Sequence, residues 1–267
     1  MSIEFWKYEG LGNDFIVVDT RTWSPPARAA LDGETARRLC DRRFGVGGDG
    51  VLRIDPPTSA EGAVATMVVL NADGSQAEMC GNGLRCVARY LGVRGEASTD
   101  GRLTIDTGAG PLPCRLGPDT VSVSLGAITD DGPVALELDG EPVTGRVLHL
   151  GNPHLVLDAP AGRDAAERFG AAAQLHPRFP DGVNVSCQRF IGAAGIELFV
   201  WERGCGATLA CGTGAGATVA AAWLGGRLPI GVPVDVKLPG GRLTISGDLH
   251  ALVLEGPARA VYRGVVD

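Results

Sequence analysis

Two short stretches of the chain share one pattern, EMCGNGLRC at residues 78–86 and LACGTGAGA at residues 209–217. Each places a cysteine, Cys80 or Cys211, directly before Gly-x-Gly, and each continues into a segment with helical periodicity. Glycine leaves the backbone N–H groups unobstructed, and a helix that begins there leaves its first N–H groups without acceptors. The pattern therefore predicts one local structure that is built twice, with a cysteine at the N-terminus of each helix.

The surrounding sequence repeats in the same order. Cys80 and Cys211 are 131 residues apart (211 − 80), and at that offset MVVLN (67–71) falls on LFVWE (198–202). Two further matches lie upstream, Asp-Gly-Val at 49–51 with 181–183 and GNDFIVVD at 12–19 with GNPHLVLD at 151–158. This duplication predicts two homologous domains, the first at 1–118 and joined by a C-terminal strand at 258–267, the second at 119–257.

Short β-rich runs outnumber helical patterns along the chain. The helical patterns are at about 34–43, 84–93, 162–173 and 214–224. The β-rich runs are FIVVDT, ATMVVLN, RLTID, TVSVSL, HLVLD, IELFVW, VDVKL, RLTIS and ALVLEG. We therefore expect an α+β fold of two similar domains. Each would be a mostly antiparallel sheet wrapped around one central helix that begins at its Cys-Gly-x-Gly turn.

Composition excludes several classes of function. The 267 residues are 45% hydrophobic with a formal net charge of −7 and no cluster of basic residues, which argues against a nucleic-acid partner. No apolar run reaches the roughly 20 residues needed to span a membrane. The seven cysteines form an odd set without the spacing of a disulfide scaffold, so we expect a cytoplasmic protein. Only Lys7 and Lys237 are available for a Schiff base with a carbonyl cofactor, and we expect no cofactor.

A cysteine at a helix N-terminus has two chemical consequences. The positive end of the helix dipole lowers the thiol pKa from about 8.5 toward about 3.5–7.5. The exposed amides also bind a carboxylate. A free cysteine is most often an inert, buried apolar residue. We keep that interpretation for Cys40, Cys86, Cys114 and Cys187, whereas Cys80 and Cys211 are predicted to be functional, and Cys205 is intermediate because its counterpart in the first half is Gly74.

Several kinds of site were compared for the cysteine pair. The spacings of Cys80 to Cys86 and of Cys205 to Cys211 are wider than zinc ligand pairs use, so no metal site is expected. A cysteine hydrolase would use one thiolate and one histidine, with His154 as the candidate, but would leave the second cysteine unexplained. Two equivalent thiols suit stereoinversion, in which a thiolate removes a proton from carbon and a thiol delivers one to the opposite face. The pair would then titrate as one coupled unit.

The motifs resemble those of the diaminopimelate epimerase family over nearly the whole chain. They are GLGNDF (10–15), GVGGDG (45–50), NADGSQAEMCGNG (71–83), GNPH (151–154), DGVNV (181–185) and ERGCGATLACGTG (202–214). The resemblance implies two similar domains related by a pseudo-two-fold axis, each a mostly antiparallel, barrel-like sheet around a central helix. It also implies an active site between the domains, with Cys80 and Cys211 as its acid/base pair. It also implies substrate contacts from Asn13, Asn71, Gly81, Asn82, Asn152, Asn184, Glu202, Arg203, Gly212 and Thr213, with His154 in support. Arg203 could form a bidentate hydrogen bond with a distal carboxylate of the substrate, and Glu202 could pair with a substrate ammonium group.

The expected activity is interconversion of LL- and meso-diaminopimelate, a step toward lysine and cell-wall precursors. Two alternatives stay open, a racemase of another amino acid on the same fold and a non-catalytic amino-acid-binding protein. Arg203 favours a substrate with a second carboxylate, and a binding protein would need neither thiol. The partner expected is the small-molecule substrate, with a homodimer among the assemblies considered.

Overall fold

The computed structural model describes residues 2–59, 62–158 and 162–267. It contains two compact units: unit 1 comprises residues 1–123 and 256–267, and unit 2 comprises residues 124–255. The prediction of two homologous domains, 1–118 with 258–267 and 119–257, stays a prediction. No helix formed by the described residues is long and apolar enough to span a bilayer.

The elements of the chain fall into two series of nine strands among the described residues. The first series is β1 (Ile3–Gly10), β2 (Asn13–Asp19), α1 (Pro25–Ala29), α2 (Gly33–Cys40), β3 (Gly50–Asp55), β4 (Ala65–Asn71), β5 (Gln76–Ala77), α3 (Gly81–Val93), β6 (Arg102–Thr107), β7 (Gly110–Leu116), β8 (Thr120–Gly126) and β9 (Thr129–Leu138). The second is β10 (Glu141–His149), β11 (Pro153–Leu157), α4 (Arg163–Gln174), β12 (Asn184–Ile191), β13 (Gly195–Glu202), β14 (Gly206–Thr208), α5 (Gly212–Leu224), β15 (Val234–Leu238), β16 (Gly241–Gly247), β17 (Leu252–Pro257) and β18 (Arg259–Val266).

The sheet of unit 1 is mostly antiparallel. Strand β1 pairs antiparallel with β2 and β18, β3 pairs antiparallel with β4, and β6 with β7. Two pairings are parallel, β2 with β3 and β4 with β6. Helix α3 contacts β1, β2, β3, β4, β7 and β18, so strands surround it. Ten of its thirteen residues are buried, which makes α3 the central helix of this unit.

Unit 2 repeats this pairing scheme with the second series. Strand β10 pairs antiparallel with β11 and β9, β12 with β13, and β15 with β16. The parallel pairings are β11 with β12 and β13 with β15. Helix α5 has ten buried residues among thirteen and packs on β10, β11, β12 and β16. Helix α4 lies against β12, β13, β14 and β9, where Ala166, Phe169 and Ala173 are buried in an apolar cluster.

The last strand of each series belongs to the other unit. Strand β9 ends the first series but pairs with β10 of unit 2, in the register Glu141 opposite Leu138. Strand β18 ends the chain but pairs with β1 of unit 1, with Ile3 opposite Val266. The two series therefore exchange their final strands, and each unit contains residues from both ends of the repeat.

The predicted α+β class is confirmed, and so are the central helices. The two helices predicted at 84–93 and 214–224 begin three and two residues earlier, at Gly81 and Gly212, because the Cys-Gly-x-Gly segment supplies the first turn itself. The run ATMVVLN and the run VDVKL are strands with the predicted ends. The sequence patterns missed α1 and the strands β1, β3, β5, β7, β9, β10, β12 and β14.

Candidate active site

Cys80 is the N-cap of α3 in unit 1. Its backbone is extended, with φ −141° and ψ 112°, and its Sγ accepts a hydrogen bond from the Gly83 N–H at 3.4 Å. An N-cap side chain normally accepts from the second or third helical N–H, and here a sulfur takes the place of the usual oxygen. A Cβ at Gly83 would lie 2.8 Å from Cδ2 of Leu52, so a larger residue here would require the Leu52 side chain to shift. The half-buried thiol is held in the positive field of the helix N-terminus.

Cys211 has the same position on α5 in unit 2. Its φ of −122° and ψ of 111° match those of Cys80 closely, and its Sγ accepts from the Gly214 N–H at 3.3 Å. The Thr213 hydroxyl lies 3.5 Å from the same sulfur. A Cβ at Gly214 would lie 3.2 Å from the Cys211 Sγ, so the absence of a side chain at Gly214 avoids crowding the sulfur. The prediction of a cysteine at the start of each central helix is confirmed.

The two thiols differ in their surroundings. Cys211 is only 4% exposed, whereas Cys80 is half-buried. The expectation that the helix dipole lowers the thiol pKa is wrong for Cys211, because burial raises that pKa well above its ordinary value and the nearby Glu202 carboxylate raises it further. Hydrogen bonds from Thr213 and Gly214 oppose this effect without cancelling it. The Cys211 side chain is therefore a protonated thiol at neutral pH.

Asn13 and Asn82 are brought together beside Cys80. The Asn82 amide N–H donates to Oδ1 of Asn13 at 3.1 Å, and Nδ2 of Asn13 donates to Oδ2 of Asp49 at 2.6 Å. Asp49 is itself held by Arg42 at 2.8 Å. Each amide in this chain has one orientation, because its neighbour fixes which end donates.

Asn71 stands at the end of β4 and is held by its own turn. Its Nδ2 donates to the Ser75 hydroxyl at 2.9 Å, and its backbone N–H donates to the Ser75 carbonyl at 2.8 Å. Ser75 in turn donates to Asp73 at 2.6 Å. The side chain is thereby fixed on the turn that leads to Cys80.

Glu202 is the last residue of β13 and Arg203 follows it, and both belong to the half of the predicted site in unit 2. Oε1 of Glu202 accepts from the Thr208 hydroxyl at 2.6 Å. The Arg203 backbone N–H donates to Oδ1 of Asn184 at 3.0 Å, and the exposed Arg203 guanidinium reaches the Asp181 carbonyl at 3.3 Å. Asn184 is buried and also donates to the Pro153 carbonyl at 3.0 Å, so its amide ties together the starts of β11 and β12 and the end of β13.

His154 orients Asn152. The ring is 0% exposed, and its Nε2 lies 2.8 Å from Oδ1 of Asn152. An amide oxygen only accepts, so Nε2 carries the proton and Nδ1 does not. Burial lowers the pKa of His154 to about 3, with His149 and Arg203 adding to the effect. The histidine is therefore neutral at physiological pH, so no imidazolium is present to act as a general acid.

The structure thus assembles the predicted site residues in two groups, one in each unit. Asn13, Asn71, Gly81 and Asn82 lie in unit 1 with Cys80, and the residues that lie in unit 2 with Cys211 are Asn152, Asn184, Glu202, Arg203, Gly212, Thr213 and His154. Their roles on a substrate stay predictions. Sequence reasoning missed the residues that hold them, Asp49, Ser75, Thr208 and Arg85, although all four lie inside the quoted stretches. Within residues 2–59, 62–158 and 162–267, no group of three or more His, Cys, Asp or Glu side chains could hold a metal ion.

Solved structures with this fold define its structural class. A probable proline racemase of Agrobacterium radiobacter, with bound carbonate, matches 99% of the chain and 93% of its own length with a TM-score of 0.75 at 14% identity. A hydroxyproline epimerase of Agrobacterium vitis matches 99% of the chain and 91% of its own length with a TM-score of 0.73 at 16% identity. A Bacillus anthracis phenazine biosynthesis protein matches 100% and 99% with a TM-score of 0.74 at 18% identity. At these identities the likeness establishes the fold alone.

Sequence relatives narrow the class to one family. The family model for diaminopimelate epimerase matches residues 5–130 and 146–261. Diaminopimelate epimerases of Synechococcus sp. (strain JA-3-3Ab) and Desulfitobacterium hafniense are 40% and 39% identical, over 98% and 99% of the chain and 97% and 98% of their own lengths. That of Xanthomonas euvesicatoria is 41% identical over 98% of the chain and 95% of its own length. The chain belongs to the diaminopimelate epimerase family.

Proposed function

We propose that the chain is an isomerase that interconverts LL- and meso-diaminopimelate with no added cofactor, using the thiols of Cys80 and Cys211. The observation that carries this proposal is the matched N-cap geometry of the two cysteines. In each unit the sulfur accepts from the third N–H of a central helix, at 3.4 Å for Cys80 and 3.3 Å for Cys211. Two-base inversion of a stereocentre uses one acid/base group on each face of the carbon, whereas a single-thiolate hydrolase needs one thiol and a binding protein needs none.

The proposed reaction moves two protons. One sulfur, as thiolate, takes the α-proton and leaves the electron pair on the α-carbon and its carboxylate. The other sulfur, as thiol, gives its proton to the opposite face of that carbon. The first cysteine then holds the proton and the second is ionised, so the pair is ready for the reverse direction. The amides at the start of α3 and α5 would stabilise the negative charge that develops on the carboxylate.

The substrate is inferred from the names of the relatives and from the charge of the site residues. Diaminopimelate carries a second carboxylate and a second ammonium group, and Arg203 and Glu202 provide opposite charges for such groups. The amides of Asn13, Asn71, Asn82, Asn152 and Asn184 add hydrogen-bonding capacity without net charge. We infer a cytoplasmic enzyme that acts on a small molecule, with no nucleic-acid or membrane partner, and a homodimer is the assembly to test.

Exchange with solvent tests the activity. Incubation of LL-diaminopimelate with the purified protein in heavy water should yield meso product with one deuterium at the α-carbon, detected by mass spectrometry and chiral chromatography. Cys80→Ser and Cys211→Ser should each lower the rate of epimerisation by at least about 100-fold, because proton transfer by a positioned group contributes about that much.

Cys205→Ser is the matched control, because Cys205 is the exposed cysteine of the chain and should leave the rate unchanged. Absence of deuterium at the α-carbon would contradict the proposal. Faster exchange of proline, histidine or another amino acid in a parallel panel would instead assign the chain to a racemase of that substrate.

A further inference from the structure

Arg85 is a fully buried arginine one turn inside α3. Its exposure is 0%, and its side chain reaches back toward the N-terminus of its own helix. Its Nη2 donates to Oδ1 of Asn82 at 2.8 Å, its Nη1 to the Gly81 carbonyl at 3.3 Å and its Nε to the Pro257 carbonyl at 3.3 Å. All three acceptors are neutral oxygens. Burying a guanidinium that is hydrogen-bonded to neutral oxygens costs free energy of folding, because its desolvation is not repaid by an ion pair at these three atoms.

A glycine without a side chain lies next to the Arg85 guanidinium. A Cβ at Gly10 would lie 3.2 Å from Nη2 of Arg85, and the φ of Gly10 is not in the left-handed region, so close approach rather than conformation requires glycine there. The position that matches Arg85 at the offset of 131 is Gly216 in α5. A Cβ at Gly216 would meet the Leu125 and Leu150 side chains at 2.9 Å. The second unit thus has no counterpart to this cation.

Arg85 also fixes the orientation of the two neighbouring amides. Because Oδ1 of Asn82 accepts from Arg85, its Nδ2 must face Asn13. Oδ1 of Asn13 is then the acceptor, and Nδ2 of Asn13 faces Asp49. The hydrogen-bond chain therefore has one direction, which begins at the buried cation and ends at a carboxylate.

The charged groups around Arg85 define its electrostatic role. Burial lowers the pKa of Arg85, and negative charge on Cys86, Cys80 or Glu9 counteracts this. Burial raises the pKa of Cys86 to about 12, so that thiol is neutral. Glu9 is paired with Arg259 at 2.8 Å. Among these groups, Cys80 is the half-buried thiol at the candidate site.

We propose that Arg85 is a positioning residue of the candidate active site, which holds the Asn82 and Asn13 amides in one orientation and supplies a buried positive charge that interacts with Cys80. This inference deepens the proposed function, but its first test does not use diaminopimelate. Cys80 alkylation by iodoacetamide is measured against pH in the intact protein by peptide mass spectrometry. Because an opposite charge nearby favours the ionised form, Arg85→Met should move the half-maximal pH of Cys80 alkylation upward by about one unit.

Two variants separate the effect of charge from that of packing. Arg85→Lys keeps the charge but loses the forked donors, so the alkylation midpoint should return close to that of the wild type. Arg89→Met removes an equal charge one turn further along α3, where the guanidinium donates to the Gly117 and Thr120 carbonyls, and should leave the midpoint unchanged. If Arg85→Met does not fold, Gly10→Ala, which crowds Nη2, should shift the midpoint upward by a smaller amount.

A folded Arg85→Met protein with the wild-type midpoint would overturn the inference, as would an equal shift from Arg89→Met or no shift from Gly10→Ala. A second readout concerns the amides. Both Arg85→Met and Arg85→Lys should raise KM for diaminopimelate by several-fold, whereas kcat should fall mainly in Arg85→Met. A shifted midpoint in a protein without epimerase activity would refute the proposed function and leave the role of Arg85 standing.

Discussion

The two cysteines share one backbone geometry but lie in opposite electrostatic surroundings. Glu202 stands near Cys211, and at the offset of 131 its counterpart in the first half is the neutral Asn71. Arg85 interacts electrostatically with Cys80, and its counterpart is Gly216. The duplication therefore preserved the helix caps and changed the charges around them. In unit 2, burial and the Glu202 carboxylate favour the neutral thiol of Cys211.

Glu202→Gln tests this difference at Cys211. The substitution removes a negative charge that raises the pKa of Cys211, so its alkylation rate constant at about pH 8.5 should increase by several-fold. Burial stays in place, so the rate should still be below that of an exposed thiol. Glu197→Gln is the matched control on the same strand, because its carboxylate pairs with Arg189 and Lys237. Equal acceleration by both variants would show that the effect is not specific to Glu202.

At the scale of elements, the contact of α4 with β13 depends on one glycine. A Cβ at Gly170 would lie 2.3 Å from Cβ and Cγ of Trp201, which are the rigid base of that side chain. Trp201 directly precedes Glu202 and Arg203, so α4 supports the strand end that carries these residues.

Gly170→Ala should therefore destabilise the protein, although alanine is the better helix former. Helix propensity alone would stabilise by about 1 kcal/mol, whereas overpacking of this contact should cost about 1–3 kcal/mol. Urea unfolding followed by circular dichroism measures the free energy of unfolding. Ala171→Gly, at the adjacent exposed position, reports the propensity effect alone. A gain in stability for Gly170→Ala would contradict the packing described for α4.

Elements with strong patterns were predictable, and the hydrogen-bond partners were not. The Cys-Gly-x-Gly turns predicted both central helices because glycine, a capping side chain and apolar periodicity occur together there. Strand β9 was missed because TDDGPVALEL begins with turn-forming residues, and only its pairing with β10 makes it a strand. A charged residue within a helical segment is usually exposed, so the sequence does not indicate that Arg85 is buried. Its burial depends on the close approach of Gly10 and Pro257, which no local pattern encodes.

At the scale of the whole molecule, His154 links stability to pH. Its folded pKa of about 3 is below the unfolded value of about 6.5, so between these values the unfolded chain binds a proton that the folded chain does not. Stability is therefore lost as pH falls below about 6.5. At about pH 5 this loss should be about 2 kcal/mol.

His154→Gln should remove this part of the acid sensitivity. The difference in free energy of unfolding between about pH 7.5 and about pH 5 should be about 2 kcal/mol smaller than in the wild type, as measured by urea unfolding at both values. The exposed His250→Gln is the control and should leave the difference unchanged. If the variant and the wild type respond equally to pH, His154 is protonated in the folded protein.

The exchanged final strands also set an order of events during synthesis. Strand β1 is translated long before β18, its neighbour in unit 1. A nascent chain therefore carries an unpaired strand edge until β18 has been made, and such edges invite wrong pairing. Unit 2 has all its strands as soon as β17 is complete. Unit 1, whose first strands are translated before those of unit 2, is therefore the last that can complete its folding. A chain that stops short of residue 259 lacks β18 and leaves the edge of β1 unpaired.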